Sequence, residues 1–376
     1  MSEGDASKVF NVGVVGYGMS AKVFHIPFIK LTDGLTLHSI VQRSPSDANS
    51  APKDHPSIKH QTSVDALLAD PEVDMVVITT TPDSHHAITK QALEAGKHVL
   101  VEKPFVPASA LADELATLAS QRGLVLCVYQ NRRWDADFTT LKKLIDDGEL
   151  GRVYELNTHF DRHRAARPTN WKASLPMDRG GGVVFDLGTH LLDQVYVLFG
   201  KPSAVSAKFV SQRDGRIVSG AGGLDDEPDS IDALLTYADA GVLVHVRAGV
   251  LSAEVDQPRF WARGSRGTYR KTGLDRQEDQ LKAGMVGTEA DFGRDPASCP
   301  AGRLARVADD GSVSEVDWPN TEPPPTYFEF YRRLAAALRT GREEDVPVPA
   351  GQAADVLRII EAMRESAKTG RDVAPA

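Results

Sequence analysis

The sequence predicts an α/β protein: an N-terminal doubly wound parallel sheet, then an α+β part with an open, mostly antiparallel sheet. Three observations carry that prediction. Apolar runs alternate with helical patterns from about residue 9 to residue 130, the order that builds a parallel sheet from strand–helix–strand units. A glycine-rich string, Gly16-Tyr17-Gly18-Met19-Ser20-Ala21, separates the first apolar run from the first helical pattern. Beyond residue 200, strand-like stretches follow one another with no helix between them, which favours antiparallel pairing. The chain has 376 residues, long enough for two domains. The expected division is 1–130 and 131–376, with the C-terminal helices of 327–368 free to pack back on the first domain.

The elements follow in order. Phe10–Val15 is apolar and valine-rich, as a strand buried on both faces should be. A helix is expected from about Ala21, a second strand at Leu35–Val41, a short helix at Val64–Ala69 and a third strand at Met75–Thr79. Ser84–Ala95 is helical and stops at Gly96, which suits a left-handed C-cap. Val99–Val101 is a strand, Ser109–Gln121 a helix closed by Gly123, and Leu124–Tyr129 a further strand. The pattern then changes. Asp137–Asp147 is an amphipathic helix, Val153–Phe160 alternates like a strand with one exposed face, and Gly182–Phe199 reads as one long helix. Ala204–Val210, Ile231–Tyr237, Gly241–Ala248, Arg259–Arg263 and Gly267–Lys271 supply the second sheet. Tyr327–Arg339 and Gly351–Lys368 are helices that follow the turn-rich Pro319–Pro325.

Composition narrows the function. With 43 basic and 52 acidic residues the formal charge is −9, so the basic footprint that nucleic acid demands is missing. Two cysteines, Cys127 and Cys299, make no disulfide framework and fit a reducing compartment. Cys127 lies in the apolar run Leu124–Val128 and belongs to a core. The N-terminus is polar, without the apolar core of a secretory signal, and no window approaches the ~18 apolar residues of a membrane helix. The expectation is a cytoplasmic protein with no membrane and no nucleic-acid partner.

The string from Gly16 to Ala21 fits G-x-G-x-x-A in the strand-to-helix context that its mechanism requires. Gly16 makes the tight turn, Gly18 lets a pyrophosphate approach the backbone, and Ala21 keeps helix and strand close. The helix start then offers free N–H groups to phosphate oxygens. The first domain is therefore expected to bind a dinucleotide. An NAD enzyme places Asp or Glu at the end of the second strand for the ribose 2′-hydroxyl. Here the chain reads Val41-Gln42-Arg43-Ser44, with no carboxylate before Asp47. Arg43 and Ser44 suit a 2′-phosphate, so the cofactor expected is NADP, with NAD the alternative. Val101-Glu102-Lys103-Pro104-Phe105 follows the fourth strand. A lysine at that end of a strand lies on the ligand side of such a sheet, and Pro104 is compatible with a cis bond.

Glu102-Lys103-Pro104 after this domain, Thr80-Thr81-Pro82 with His85, Gln130-Asn131-Arg132-Arg133-Trp134, and Asp186-Leu-Gly-Thr-His190-Leu-Leu-Asp193 together resemble the Gfo/Idh/MocA oxidoreductases over nearly the whole chain. Lys271–Glu278 looks like the subgroup that includes NADP-dependent scyllo-inositol 2-dehydrogenase. The resemblance implies a catalytic lysine at Lys103 and catalytic Asp186 and His190 in the second domain. It adds Thr80, Thr81, Pro82, His85, Glu102 and Lys103 to Tyr17, Met19, Ser20 and the rest of the glycine loop as cofactor contacts. Asp186 and His190, four apart, would share a helix face, and histidine exchanges protons near neutral pH. Asp193 shares that face and is open to a capping or pairing role.

Asn131, Arg132, Arg133 and Trp171 are candidates, with Asp186 and His190, to line a substrate pocket: polar donors beside an aromatic suit a polyol or sugar. Arg132 and Arg133 equally suit a carboxylate, a phosphate or a structural ion pair. No zinc-site spacing is present and the chemistry needs no metal, so none is expected. The function expected is NADP(H)-dependent hydride transfer between the nicotinamide and a secondary alcohol or ketone of a polyol, inositol or sugar. The alternatives are reduction of an imine or conjugated double bond in a specialised metabolite, and a non-catalytic dinucleotide-binding sensor or co-repressor. Family members pair through the spare face of the second sheet, which implies a homodimer or homotetramer.

Overall fold

Six strands, β1 (Phe10–Val15), β2 (Leu35–Val41), β3 (Lys59–Gln61), β4 (Met75–Ile78), β5 (His98–Val101) and β6 (Leu126–Val128), form a sheet in the order 3-2-1-4-5-6. Each neighbouring pair is parallel. Met75 to Ile78 are fully buried, which is why β4 reads as an unbroken apolar run rather than as an alternation. Between the strands run a π turn (Ala21–His25) continuing as α1 (Ile26–Leu31), then α2 (Ala51–Asp54), α3 (Val64–Leu68), α4 (Pro82–Glu94) and α5 (Ser109–Arg122). The strand order is that of a dinucleotide-binding Rossmann sheet, whose ligand crevice opens where the order reverses, at β1 and β4.

The computed structural model describes residues 8–169, 174–221 and 223–376, so Trp171 lies outside the described residues. The chain forms two units. The first takes the chain up to Asn131 together with Gln277–Phe292 and Thr326–Ala354; the second takes Arg132–Arg276, Gly293–Pro325 and Asp355–Ala376. Within the first unit, the helix Tyr327–Thr340 buries Tyr327, Phe330, Tyr331, Leu334, Ala335, Ala337 and Leu338, the stripe expected of one apolar helix face. Tyr331 stacks on Phe28 of α1 with ring centroids 5.8 Å apart.

The second unit contains α6 (Ala136–Asp146), β7 (Val153–Asp161), a second π turn (Val184–Gly188) leading into α7 (Thr189–Phe199), and then β8 (Ala204–Ser211), β9 (Arg216–Val218), β10 (Ser230–Tyr237), β11 (Val242–Gly249), β12 (Pro258–Gly264), β13 (Gly267–Thr272), β14 (Gly302–Val307) and β15 (Val313–Trp318). These strands form a nine-stranded sheet in the order 15-14-13-12-7-11-10-8-9. All its pairs are antiparallel except β7 with β11. On β7 the buried residues Leu156, Thr158 and Phe160 alternate with partly exposed Glu155, Asn157 and His159. No described helix is long and apolar enough to cross a membrane.

Several local features depart from the sequence reading; the helix expected from Ala21, for one, begins as the π turn Ala21–His25. The helix expected at Gly182–Phe199 is not uniform, since its first part is the π turn Val184–Gly188. The hairpin of β14 and β15 goes unread because β15 is exposed along almost its whole length and lacks apolar alternation. β3 and β9, at three residues each, are too short for any period to register.

Candidate active site

The glycine loop sits at the switch point of the parallel sheet. Gly16 has φ +99°, a value that L-residues rarely adopt. A Cβ on Gly16 would stand 2.8 Å from Thr79 Oγ1 and 3.2 Å from the Thr79 carbonyl oxygen, so the turn is packed directly against the end of β4. A Cβ on Gly18 would meet nothing within 4 Å. One glycine is thus needed for packing and the other leaves open the side from which a phosphate group approaches. Lys22 N–H closes the first helical turn on the Gly18 carbonyl at 3.1 Å, and the N–H groups ahead of it favour an anion. The loop fits the pyrophosphate of a dinucleotide.

The rest of the loop is anchored from below. The Tyr17 hydroxyl donates to Asp54 Oδ2 at 2.7 Å. Lys22 Nζ lies 4.5 Å from the Tyr17 ring centroid and 3.1 Å from the same Asp54 oxygen. Burial, with the Asp54 hydrogen bond, pushes the Tyr17 phenol well above its ordinary range. Asn49 Nδ2 donates to the Tyr17 carbonyl at 2.8 Å, and Gln42 holds Asn49 O and Ala51 N–H through its carboxamide. The segment after β2 is therefore tied to the loop at Gln42, Asn49 and Asp54. Arg43 and Ser44 in that segment are exposed. The carboxylate of Asp47 is exposed and ion-paired with Lys53 at 2.7 Å. Met19 is exposed, and Ala21 is fully buried, as its packing role requires.

Lys103 follows the buried strand β5, and its bond to Pro104 is cis. Glu102 is buried; its Oε2 accepts the Lys103 N–H at 2.9 Å. Its Oε1 accepts the Ser20 hydroxyl and His25 Nε2–H, the latter at 3.0 Å. The sheet edge thus brings the glycine loop and Lys103 together through one carboxylate. The family motif suggests a cofactor contact for His85. In the structure His85 is fully buried, with Nδ1 2.9 Å from the Pro104 carbonyl and Nε2 3.1 Å from the Thr80 carbonyl. Burial pushes its imidazole below the ordinary value, against those bonds. His85 staples the Thr80 turn to the Lys103–Pro104 bend and acts as a support. Thr80 and Thr81 are half-buried ahead of Pro82, and Thr80 Oγ1 accepts from Ser84 Oγ at 2.7 Å. Asn131 is buried at the end of the unit.

In the second unit Asp186 lies inside the π turn, half-buried, and His190 is buried in the first turn of α7. The π turn inserts a residue into the helix, so the expected four-residue spacing is not that of a regular α-helix. The His190 ring packs 6.5 Å from that of Phe160 at an interplanar angle of 27°. The guanidinium carbons of Arg132 and Arg162 each lie 4.9 Å from the Phe160 centroid. Arg132 also pairs with Asp135 at 3.0 Å. Arg133 presents Nε and Nη2 to the two oxygens of Asp193 at 2.8 and 2.7 Å, the paired geometry that fixes a guanidinium most firmly. Of the roles open to Arg133, this contact is the structural ion pair, and it gives Asp193 its pairing role. Gln194 Nε2 donates to the Arg132 carbonyl at 2.7 Å, and Gln194 Oε1 accepts from buried Arg259 at 2.7 Å. These bonds tie α7, and so His190, to the segment of Arg132 and Arg133.

The sequence reading did not pick out His25 and Tyr331 in the first unit or Phe160 and Arg162 in the second; His25, Tyr331 and Phe160 make contacts distant in sequence, and none of the four carries a local motif. Among the described residues, His38, Asp70 and Glu72 bring potential metal-ligand atoms within 4.8 Å of one another. The Lys59 ammonium already occupies Asp70 at 2.7 Å, which opposes a cation there.

A Rossmann sheet of this order, a glycine loop built for a pyrophosphate and a lysine on the same edge define a dinucleotide-binding oxidoreductase fold. Residues 10–130 match the oxidoreductase family with an NAD-binding Rossmann fold, and residues 138–270 match the GFO/IDH/MocA C-terminal domain. The chain belongs to the Gfo/Idh/MocA oxidoreductase family. It is 38% identical over 357 residues to the uncharacterized oxidoreductase YdgJ of Escherichia coli, covering 95% of this chain and 96% of that one. It is 31% identical over 362 residues to the scyllo-inositol 2-dehydrogenase (NADP(+)) IolW of Bacillus subtilis, covering 96% and 95%. The solved structure of the oxidoreductase yvaA of Bacillus subtilis superposes with a TM-score of 0.88 at 29% identity, covering 98% of this chain and 99% of that one.

Proposed function

We propose that the protein interconverts a secondary alcohol and the matching ketone on a polyol, inositol or sugar, with NADP(H) as its redox partner. The observation that carries the reading is the Ser20–Glu102–Lys103 connection, which joins a pyrophosphate-binding loop to the backbone N–H of Lys103 on one sheet edge. A bound nicotinamide dinucleotide supplies the two-electron exchange with the carbinol carbon. Gly16, Gly18 and the first turn of the following helix hold its phosphates; Arg43 and Ser44 meet the 2′-phosphate. Lys103 donates to the reacting oxygen. His190 takes or returns the hydroxyl proton, and Asp186 orients the imidazole or a substrate hydroxyl. The relative named a scyllo-inositol 2-dehydrogenase (NADP(+)), matched over nearly the whole chain, supports the polyol class and the cofactor.

The test is a panel of inositols, sugars, polyols and their ketones, followed by nicotinamide absorbance with NADP and NAD in parallel. Turnover of a polyol with a lower KM for NADP is the expected result; a preference for NAD removes the Arg43 and Ser44 assignment. Lys103→Ala should abolish turnover and leave NADPH affinity nearly intact, and near-normal turnover would sink its role. Dinucleotide binding without turnover on every class would favour a sensor. We further propose a homodimer or homotetramer through the outward face of the nine-stranded sheet, where Leu243 and Trp261 are exposed among Glu155, Asn157 and Arg263. A monomeric mass by light scattering at micromolar concentration would remove that assignment.

A further inference from the structure

We propose that Gln130 reads the nicotinamide end of the cofactor: its side-chain oxygen accepts an N–H of the nicotinamide amide. The inference rests on the dinucleotide reading given above and adds a contact that neither the glycine loop nor Lys103 supplies.

The strand order assigns the two ends of the cofactor. A sheet of order 3-2-1-4-5-6 is built from two mononucleotide-binding halves, and the dinucleotide lies across the carboxyl ends of both. The glycine loop follows β1, and Arg43 and Ser44 follow β2. The adenosine end therefore belongs to the half made of β1, β2 and β3, and the nicotinamide to β4, β5 and β6. Val101 of β5 pairs with Val128 of β6, and the Tyr129 N–H carries that ladder on to the Val101 carbonyl at 2.8 Å. Lys103 and Gln130 each stand two residues beyond the Val101–Val128 pair, past the carboxyl ends of adjacent strands.

The backbone leading to Gln130 is held from both sides. Val128 N–H bonds to the Val348 carbonyl at 3.1 Å, and Cys127 bridges to Pro349, so β6 is flanked by this segment as well as by β5. Gln130 N–H bonds back to the Val128 carbonyl at 2.9 Å, a three-residue turn that bends the chain at the end of the strand. The side chain is not held in this way. Gln130 is 2% exposed, and its Oε1 is enclosed with no hydrogen-bond partner among the described residues. Its buried neighbours in these two strand ends are satisfied: Glu102 accepts from Ser20, His25 and the Lys103 N–H, and the Tyr129 hydroxyl donates to the Phe24 carbonyl. A buried acceptor without a donor destabilises the ligand-free fold, and a donor that arrives with a ligand removes that penalty. The nicotinamide amide is such a donor: a planar NH2 group fixed to the ring that belongs at this end of the sheet. A substrate hydroxyl is the competing donor, and the experiment separates the two.

Titration calorimetry without substrate measures the affinities for NADP+, for its acetylpyridine analogue and for 2′,5′-ADP. The analogue keeps the ring, its charge and the carbonyl but carries a methyl group in place of the amide NH2; 2′,5′-ADP lacks the nicotinamide half. Wild type should bind NADP+ about tenfold more tightly than the analogue. Gln130→Met keeps the volume and removes the acceptor. It should bind NADP+ about tenfold more weakly than wild type does, with the analogue and 2′,5′-ADP unchanged. Gln130→Glu, which retains an acceptor oxygen, should retain the preference for NADP+. Ligand-free Gln130→Met should melt no lower than wild type, because it has lost an orphaned acceptor. Should it not fold, Gln130→Leu takes its place with the same readings. Equal affinity of wild type for NADP+ and the analogue overturns the proposal without any variant and leaves a substrate hydroxyl as the donor. An undiminished preference in the folded variant overturns it as well. So does a parallel loss of all three ligands with a lower melting temperature, since Gln130 would then be a support of the fold. If the chain prefers NAD+, that dinucleotide and its own acetylpyridine analogue read the same contact, so the test survives failure of the Arg43 and Ser44 assignment or of the alcohol panel. If no dinucleotide binds, the cofactor reading falls and this one with it.

Discussion

The two π turns among the described residues, Ala21–His25 in the first unit and Val184–Gly188 in the second, each follow a glycine-rich stretch and each lead to a buried histidine. They are held by different forces. The first is fixed by polar bonds at its own residues, since Ser20 and His25 close on Glu102 and His25 closes on Tyr331. The second buries Val184, Phe185, Leu187 and Gly188 and leaves Asp186 half-exposed. The Thr189 hydroxyl donates to its Phe185 carbonyl at 2.7 Å, and further polar restraints lie to either side. Downstream, Asp193 is forked by Arg133. Upstream, Glu227 accepts the Met177 N–H at 2.6 Å, and a Cβ on Gly182 would come within 2.5 Å of Glu227 Oε2. A turn that must hold a phosphate loop in one geometry is braced from within. The second turn is held mainly by burial of its apolar side chains, with polar braces on both flanks.

That contrast can be broken at its strongest point first. Asp193→Ala leaves the Arg133 guanidinium, only 10% exposed, without its carboxylate, and loss of one partner from a buried pair costs about 3–5 kcal/mol. Urea unfolding should show a loss of that size, with NADPH affinity of the folded protein unchanged. A loss under 1 kcal/mol would mean that the apolar face of α7 and the Gln194 bonds hold it without the Arg133–Asp193 pair. Gly16→Ala should behave in the opposite sense. The backbone strain at φ +99° costs ~1–3 kcal/mol, and relief by a shift of the loop would spoil the phosphate site. NADPH affinity should fall about 100-fold (about 2.7 kcal/mol). A variant that binds NADPH normally would show that Thr79 gives way and that the loop is softer than its packing suggests.

Much of this was legible in the residues. β1 and β2 fall where their patterns predict: β1 is buried almost throughout and reads as an apolar run, whereas β2 begins as an alternation and ends in the buried Ile40 and Val41. The glycine loop and Lys103 were legible because both follow strands of a recognisable parallel sheet. The supports were not. His25 and Tyr331 lie 306 positions apart, Arg133 and Asp193 lie 60 apart, and no periodicity links residues across such gaps. The π turns were equally hidden: nothing in Ala21–His25 or Val184–Gly188 departs from an ordinary helical pattern, and the extra residue per turn is imposed by the contacts it serves.

The smallest effect tests the upstream brace of the second turn. Burial pushes the Glu227 carboxyl up to about 7, opposed by the Met177 hydrogen bond and Arg364 and reinforced by Asp178 and Asp226. Its folded value lies above its unfolded value of 4.5. The folded state therefore binds the proton more tightly, and this contribution to stability is complete below about pH 4.5 and lost as pH rises through about 7. Because Glu227 is partly exposed, the effect is discounted to on the order of 1 kcal/mol. Glu227→Gln keeps an acceptor for Met177 and removes the titration. Its melting temperature should match wild type near pH 5 and exceed it by a few degrees at pH 8. Parallel curves for the two proteins across pH 5–8 would mean that Glu227 is solvated in both states. The glycine stretch would then be held by its own backbone turn, in which Gly181 N–H bonds to the Pro176 carbonyl at 3.0 Å.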